Sequence, residues 1–136
     1  MVFYRQIGVQ TKQRSHWVDI QSQVETVVAE SKITAGICVV TSSHTTAGIT
    51  INENADADVG RDVFWKLNQL VPEQPEYHHS EGNSDSHLKT SLVGLSVSVP
   101  IQQGKIVRGT WQSLYLCEFD GPRTRKISVT VIGDNE

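Results

Sequence analysis

Apolar residues recur along the chain with two different periods. Across 2–11 (VFYRQIGVQT) Phe3, Ile7 and Val9 fall at alternating positions, broken only by Arg5, which is the period of a half-buried strand. HWVDIQ (16–21) predicts a second strand with Trp17 and Asp19 on one face and Val18 and Ile20 on the other. The period then changes. Ser22 precedes Glu25 by three positions, the spacing of a capping box, and Val24, Val27 and Val28 share one helical face. Gly36 opens GICVVTSS, a run rich in β-branched residues, and GITINE (48–53) predicts a short strand after the polar SSHTTA.

Over 56–71, Val59, Val63, Leu67 and Leu70 recur at helical spacing, with Phe64 and Val71 widening the stripe. Asn54 or Asp56 is the candidate cap and Pro72 the stop. A shorter helix is expected over Ser84–Val93, capped by Ser84 and ended by Gly94. Beyond it the period returns to two. Val97, Val99 and Ile101 alternate, Gly104 sits in a turn, 105–112 and 113–119 read as strands or as one strand bent at Gly109, and Ile127, Val129 and Val131 alternate again. The pattern predicts one α+β domain over 1–136: an antiparallel-rich sheet or two-sheet sandwich with two to three helices on one side.

Composition adds bounds. At 136 residues and 38% hydrophobic content the chain suits a globular fold that needs no disulfide or metal to hold it. A net charge of −3 argues against broad attraction to nucleic acid or to membrane surfaces. No apolar run approaches the roughly 18 residues of a membrane helix, and the N-terminus lacks a signal-peptide pattern. Cys38 and Cys117 lie in strand-like runs and read as buried free thiols, so a cytoplasmic location is expected.

Three stretches offer chemistry. YHHSEGNSDSHL (77–88) holds three of the five histidines. His79, Asp85 and His87 make a valid ligand set for zinc or another divalent metal, with His44 able to complete it and Glu81 a rival carboxylate. The same residues can instead serve as acid and base, or simply form a hydrogen-bonded polar loop. In SSHTTAGITINEN, Glu53 can bind a metal or accept a proton, while Asn54 has a structural use as a cap. In GTWQSLYLCEFDGPRTRK, Arg123 and Arg125 stand two apart around a turn. They suit a phosphate if both enter one cleft and are a solvated tip otherwise. Lys89 can reach an anion or stay in solvent.

Together, SSHTTAGITINEN, HHSEGNSDSHLKTSLVG, VPIQQGKIVRGTWQSLYLCEFDGPR and RKISVTVIG resemble the YjbQ family, also called the secondary thiamine-phosphate synthase family. The resemblance implies a YjbQ-type α+β fold and a homotrimer with pockets near subunit contacts. It also implies a weak thiamine-phosphate synthase activity, in which a pyrimidinylmethyl diphosphate loses pyrophosphate and the thiazole phosphate nitrogen takes its carbon. The family's histidine motif falls on His44, its Tyr-x-His on Tyr77 and His79, and its Asp-x-His on Asp85 and His87. Its acidic position before the long helix falls on Glu53, its Gly-x-Trp-Gln on Gly109, Trp111 and Gln112, and its late acidic residue and arginine on Glu118 and Arg123. His78 is the alternative to His79.

Combined with the residue reading, this assigns catalysis to His44, Glu53 and Asp85. Substrate binding falls to Lys89, Trp111, Gln112, Arg123 and Arg125, and metal ligation to His44, His79 and His87. Departure of a diphosphate calls for cations and usually magnesium on oxygen ligands, whereas a histidine-rich site suits zinc. That mismatch points to a synthase activity that is secondary to another reaction. The expected partners are a phosphorylated small molecule and further copies of the chain. A non-enzymatic homotrimer binding a metal or small ligand is the alternative.

Overall fold

The two periods sort into two sheets and three helices. The computed structural model describes residues 1–135. In chain order the elements are β1 (Val2–Gln10), β2 (His16–Asp19), α1 (Gln21–Ser31), β3 (Ala35–Ser42), β4 (Ala47–Glu53), α2 (Ala57–Leu70), α3 (Ser84–Val93), β5 (Ser96–Gln102), β6 (Lys105–Ile106), β7 (Gln112–Glu118) and β8 (Thr124–Asp134). One sheet runs β1-β8-β3-β5-β6 and the other β2-β7-β4, and every pairing is antiparallel.

The inward residues of the two sheets meet face to face. Cys38, Val40, Val99, Ile101, Ile127, Val129 and Val131 of the large sheet pack with Ile49, Leu114 and Leu116 of the small one. Val24, Val27 and Val28 of α1 join the same core, as their i, i+3, i+4 spacing requires. β7 is buried on both faces. Its other face carries Tyr115 and Cys117 outward. Trp17 stacks on Tyr115 with centroids 4.2 Å apart, and Phe64 of α2 meets Trp17 and Phe119. The fold is thus an α+β sandwich with α2 and α3 against the small sheet. Among the described residues no helix is long and apolar enough to cross a membrane.

Several local expectations are corrected. α1 starts at Gln21, whose amide donates to the Asp19 carboxylate at 2.9 Å, and its N-cap Ile20 makes no side-chain bond, so the Ser22–Glu25 box is unused. Asp56, not Asn54, caps α2 by accepting from the Asp58 amide. Asn54 instead donates to Ser113 Oγ at 2.8 Å. At α3 the cap position falls on Asn83 rather than Ser84. The strand expected over 105–112 keeps only two residues. Val107 N donates to Pro100 O, and Pro100 has no N–H to continue the ladder. The chain then turns, with the Gly109 amide donating to Gln112 Oε1 at 2.7 Å.

Among the described residues the outer face of the large sheet carries no helix. Strand pairing lines up Val2, Ile132, Ile37 and Pro100 in one row across four strands, and Tyr4, Thr130, Val39 and Ser98 in the next. Val2, Tyr4, Ile37 and Ile132 are exposed there.

Candidate functional site

The site is built by docking α3 onto β4. Gly48 permits the approach: a Cβ there would lie 2.5 Å from Gly94 O. The inner face of α3 is then tied down by buried charge. Asp85 accepts from Lys89 Nζ at 3.2 Å and from Arg14 Nη2 at 3.2 Å, while Lys89 also donates to Asn68 Oδ1 on α2 at 2.7 Å. Ser86 Oγ donates to Phe119 O at 2.6 Å. Burial by itself raises the Asp85 carboxyl, but the hydrogen bonds and charges of Arg14 and Lys89 outweigh it and hold its pKa below the ordinary value.

Behind the site a second buried pair anchors the sheets. Arg125 Nε donates to Glu118 Oε1 at 2.8 Å, its Nη2 donates to Glu118 Oε2 and to Thr46 Oγ1, and Thr11 Oγ1 also donates to Glu118. Burial raises the Glu118 carboxyl, and Arg125, the Asp120 amide and Thr11 bring it below its usual range.

Between these two anchors opens a cleft of about 190 Å³. His79 and His87 face each other in it edge to face, with ring centroids 5.1 Å apart. Arg123 closes the far side. Its Nε donates to Asp120 O at 2.9 Å and its Nη2 to Asp120 Oδ2 at 3.1 Å. Asn83 Nδ2 donates to the same carboxylate at 2.7 Å. Among the described residues Arg123 Nη1 makes no hydrogen bond, so it is free to meet an anion. Thr45, Thr46 and Glu81 complete the lining. Asn83, the N-cap residue of α3, borders the cleft, and a helix N-terminus favours negative charge. The hollows flanking α1 contain no imidazole.

The structure brings together only part of the expected set. His79, His87 and Arg123 converge, and His79 rather than His78 lines the cleft. His44 does not join them. Its Nε2 accepts the Lys126 amide at 2.9 Å, and burial followed by the Arg125 charge lowers its pKa. Among the described residues no three His, Cys, Asp or Glu side chains gather as metal ligands. The expected set of His44, His79 and His87 is therefore not assembled among the described residues of one chain.

Asp85, expected to be catalytic, and Lys89, expected to bind substrate, are the buried ion pair that positions α3. Arg125 is 2% exposed with its guanidinium committed to Glu118 and Thr46, so it does not share a face with Arg123. Glu53, Trp111 and Gln112 lie at the opposite end of the small sheet. The register pairs Glu53 with Gln112 but Ala47 with Glu118, six residues further, which is about 20 Å along the strands. Gln112 is spent on its local turn, and Trp111 is exposed. Glu81, the rival carboxylate of the sequence, does line the cleft, and Asn83 and Asp120 join it without having been singled out there. Their signal was adjacency: Glu81 and Asn83 lie between the two site histidines, and Asp120 begins the DGPR turn.

Comparison with known proteins identifies the family and the fold. The model of the UPF0047 protein YjbQ-like family matches residues 5–134. UPF0047 protein MJ1081 of Methanocaldococcus jannaschii is 48% identical over 134 residues, covering 98% of this chain and 96% of that protein. UPF0047 protein YugU of Bacillus subtilis is 43% identical over 128 residues, covering 93% and 97%. A crystal structure of a YbjQ-like protein of unknown function from Sulfolobus solfataricus superposes with a TM-score of 0.94 at 35% identity, covering 98% of this chain and 99% of that one. A protein of the yjbq/upf0047 family from Clostridium acetobutylicum gives 0.92 at 46% identity, covering 94% and 99%. With fold, motifs and whole-length similarity in agreement, the chain belongs to the YjbQ/UPF0047 family.

Proposed function

We propose that this protein is an enzyme acting on a small phosphorylated substrate in the cleft between His79, His87 and Arg123, with thiamine-phosphate synthase as one of its activities. The observation that carries this reading is the facing imidazole pair beside an arginine with an unused Nη, at a helix N-terminus. Arginine and a helix N-terminus suit phosphate oxygens, and imidazole is the side chain best placed to exchange a proton near neutral pH.

In the proposed step the methylene carbon–oxygen bond of the pyrimidinylmethyl diphosphate breaks, and its electron pair leaves with the diphosphate. The thiazole nitrogen lone pair forms the new bond to that carbon. Arg123 offsets the charge gathering on the leaving group, and one imidazole of the pair gives a proton to the departing oxygen. The narrowness of the cationic set, one free arginine nitrogen and two imidazoles, supports a synthase activity that is weak and secondary.

The assembly belongs to this reading. The uncharged rows of Val2, Ile132, Ile37 and Pro100 and of Tyr4, Thr130, Val39 and Ser98 are an uncovered sheet face suited to burial against other copies, which supports a homotrimer. Purified protein is to be assayed for thiamine phosphate formation from the two substrates, beside His79→Ala and His87→Ala. Turnover lost in both variants with the fold retained supports the enzyme. Wild-type protein that binds phosphate but forms no product favours a non-enzymatic binding trimer instead.

A further inference from the structure

A hollow of about 420 Å³ lies between α2 and the segment that leads into β2, and it shares no lining residue with the histidine cleft. That volume falls among those of small-molecule pockets, roughly 300–1,000 Å³. One wall is a single flank of α2, where Ala57, Gly60, Arg61 and Phe64 follow at i, i+3, i+4 and i+7. The other wall is His16 and Trp17 of β2. Among the described residues no acidic side chain lines it, and Arg61 is its one full charge.

The polar groups of this lining are donors without acceptors. Trp17 keeps one ring face on Tyr115, while the edge bearing Nε1 lies against Gly60, where an added Cβ would come within 2.6 Å of that nitrogen. Among the described residues Nε1 finds no acceptor, and it is not sealed from solvent. His16 Nε2 accepts the Lys12 amide at 3.3 Å, so its lone pair is used, the ring is neutral and Nδ1 carries the hydrogen. Burial lowers the pKa of the same ring. Arg61 has one opposite charge nearby, Asp58 at 3.6 Å, on side chains 81% and 73% exposed, a contact worth little in water. Most of its guanidinium fork is therefore unused. Trp17 and Phe64 add aromatic surface beside these donors, with ring centroids 6.1 Å apart and planes at 90°.

We infer that this hollow binds a flat aromatic ring carrying one carboxylate. The carboxylate meets the Arg61 fork and the neutral N–H groups of His16 and Trp17, and the ring packs against Trp17 and Phe64. One arginine and two uncharged donors balance a single negative charge. A phosphate monoester, with a charge of about −1.5 to −2, is matched less well. The ligand class thus differs from that of the cleft, and the inference stands whether or not the cleft is catalytic.

The chain has three tryptophans, and Trp65 and Trp111 are 60% and 62% exposed, so Trp65→Phe with Trp111→Phe leaves Trp17 as the sole indole without disturbing the core. In that protein the Trp17 Nε1–H resonance is followed by NMR during titration with benzoate, acetate and benzyl alcohol. Benzoate is expected to shift it saturably. Acetate lacks the ring and benzyl alcohol the charge, and each is expected to bind at least about 10-fold more weakly. Adding Arg61→Glu, a change on a side chain that lies in solvent, is expected to weaken benzoate by at least about 10-fold with the other resonances in place. Adding His79→Ala instead is expected to leave benzoate affinity unchanged. No saturable shift, acetate or benzyl alcohol equal to benzoate, or an Arg61→Glu protein of unchanged affinity overturns the site. Benzoate binding lost with His79→Ala belongs to the cleft and overturns it as well.

Discussion

His79 and His87 stand apart from the rest of the site in what they cost to lose. Neither is buried or tied into the core by a hydrogen bond through its ring, so their removal falls on chemistry rather than on folding. His87→Ala is expected to lower thiamine phosphate formation by roughly 10²–10⁴-fold, the usual share of a general acid, with an unchanged circular dichroism spectrum. Asp85→Asn makes the contrast. Asp85 touches no ligand space but receives Lys89 and Arg14, so its loss leaves a buried ammonium without its carboxylate. A stability loss of about 3–5 kcal/mol in urea unfolding is expected, with activity falling as a consequence. Arg125→Met belongs to the same class, because it strands the Glu118 carboxylate. Adding Glu118→Leu is expected to recover part of that loss and not all of it, since the Asp120 amide and the Thr11 hydroxyl also depend on Glu118.

At the scale of elements, the site depends on how closely α3 lies on β4. Gly48 sets that distance, and its partner atom is the Gly94 carbonyl, which cannot rotate away like a side-chain tip. Gly48→Ala is therefore expected to cost about 1–3 kcal/mol, as overpacking does, and to lift the helix that carries His87. Weakened phosphate binding at a temperature where the variant is still folded checks the displacement. An affinity equal to wild type shows that α3 does not set the cleft. Gly60 makes a comparison, because an added Cβ there would press on the Trp17 ring at 2.6 Å, on the far side of the small sheet from the large-sheet core. Gly60→Ala is expected to destabilise without touching phosphate affinity.

At the scale of the whole molecule, acid acts through groups whose pKa values the fold depresses. His44 and His16 are both lowered from 6.5, chiefly by burial. The unfolded chain then takes up protons first as pH falls below that value, so stability drops from neutral pH toward pH 5. Asp85 and Glu118 are held below their ordinary 3.8 and 4.5, so their contribution is intact above those values and is lost on further acidification. Urea midpoints at several pH values between 7.5 and 3 are expected to fall in these two stages. His44→Gln, which keeps an acceptor for the Lys126 amide, is expected to flatten the first. The assembly is tested separately. Ile37→Glu with Ile132→Lys replaces a cross-strand apolar pair by an ion pair on the same two strands. Light scattering is expected to report a monomer for this variant and a three-fold mass for wild type.

The sequence by itself determined the α+β class, the family and the local part of the site. Alternation and helical spacing state which face of an element is apolar, and 79–87 is short enough to hold its two histidines near each other. The helix also contained a warning. In Ser84–Val93, residues two apart point about 200° from one another, so Asp85 and Lys89 could not share His87's face. Only the tertiary structure decided the rest. Periodicity does not say which inward residue meets a partner, so Arg125 met Glu118 inside while Arg123 stayed at the cleft. Nor does it give strand register, and register is what put Glu53 and Gln112 about 20 Å along the strands from Ala47 and Glu118, at the end of the small sheet away from the cleft. His44 was lost to the metal set for the same reason: the pairing of β3 with β8 carried it to the Lys126 amide, a contact between residues 82 positions apart.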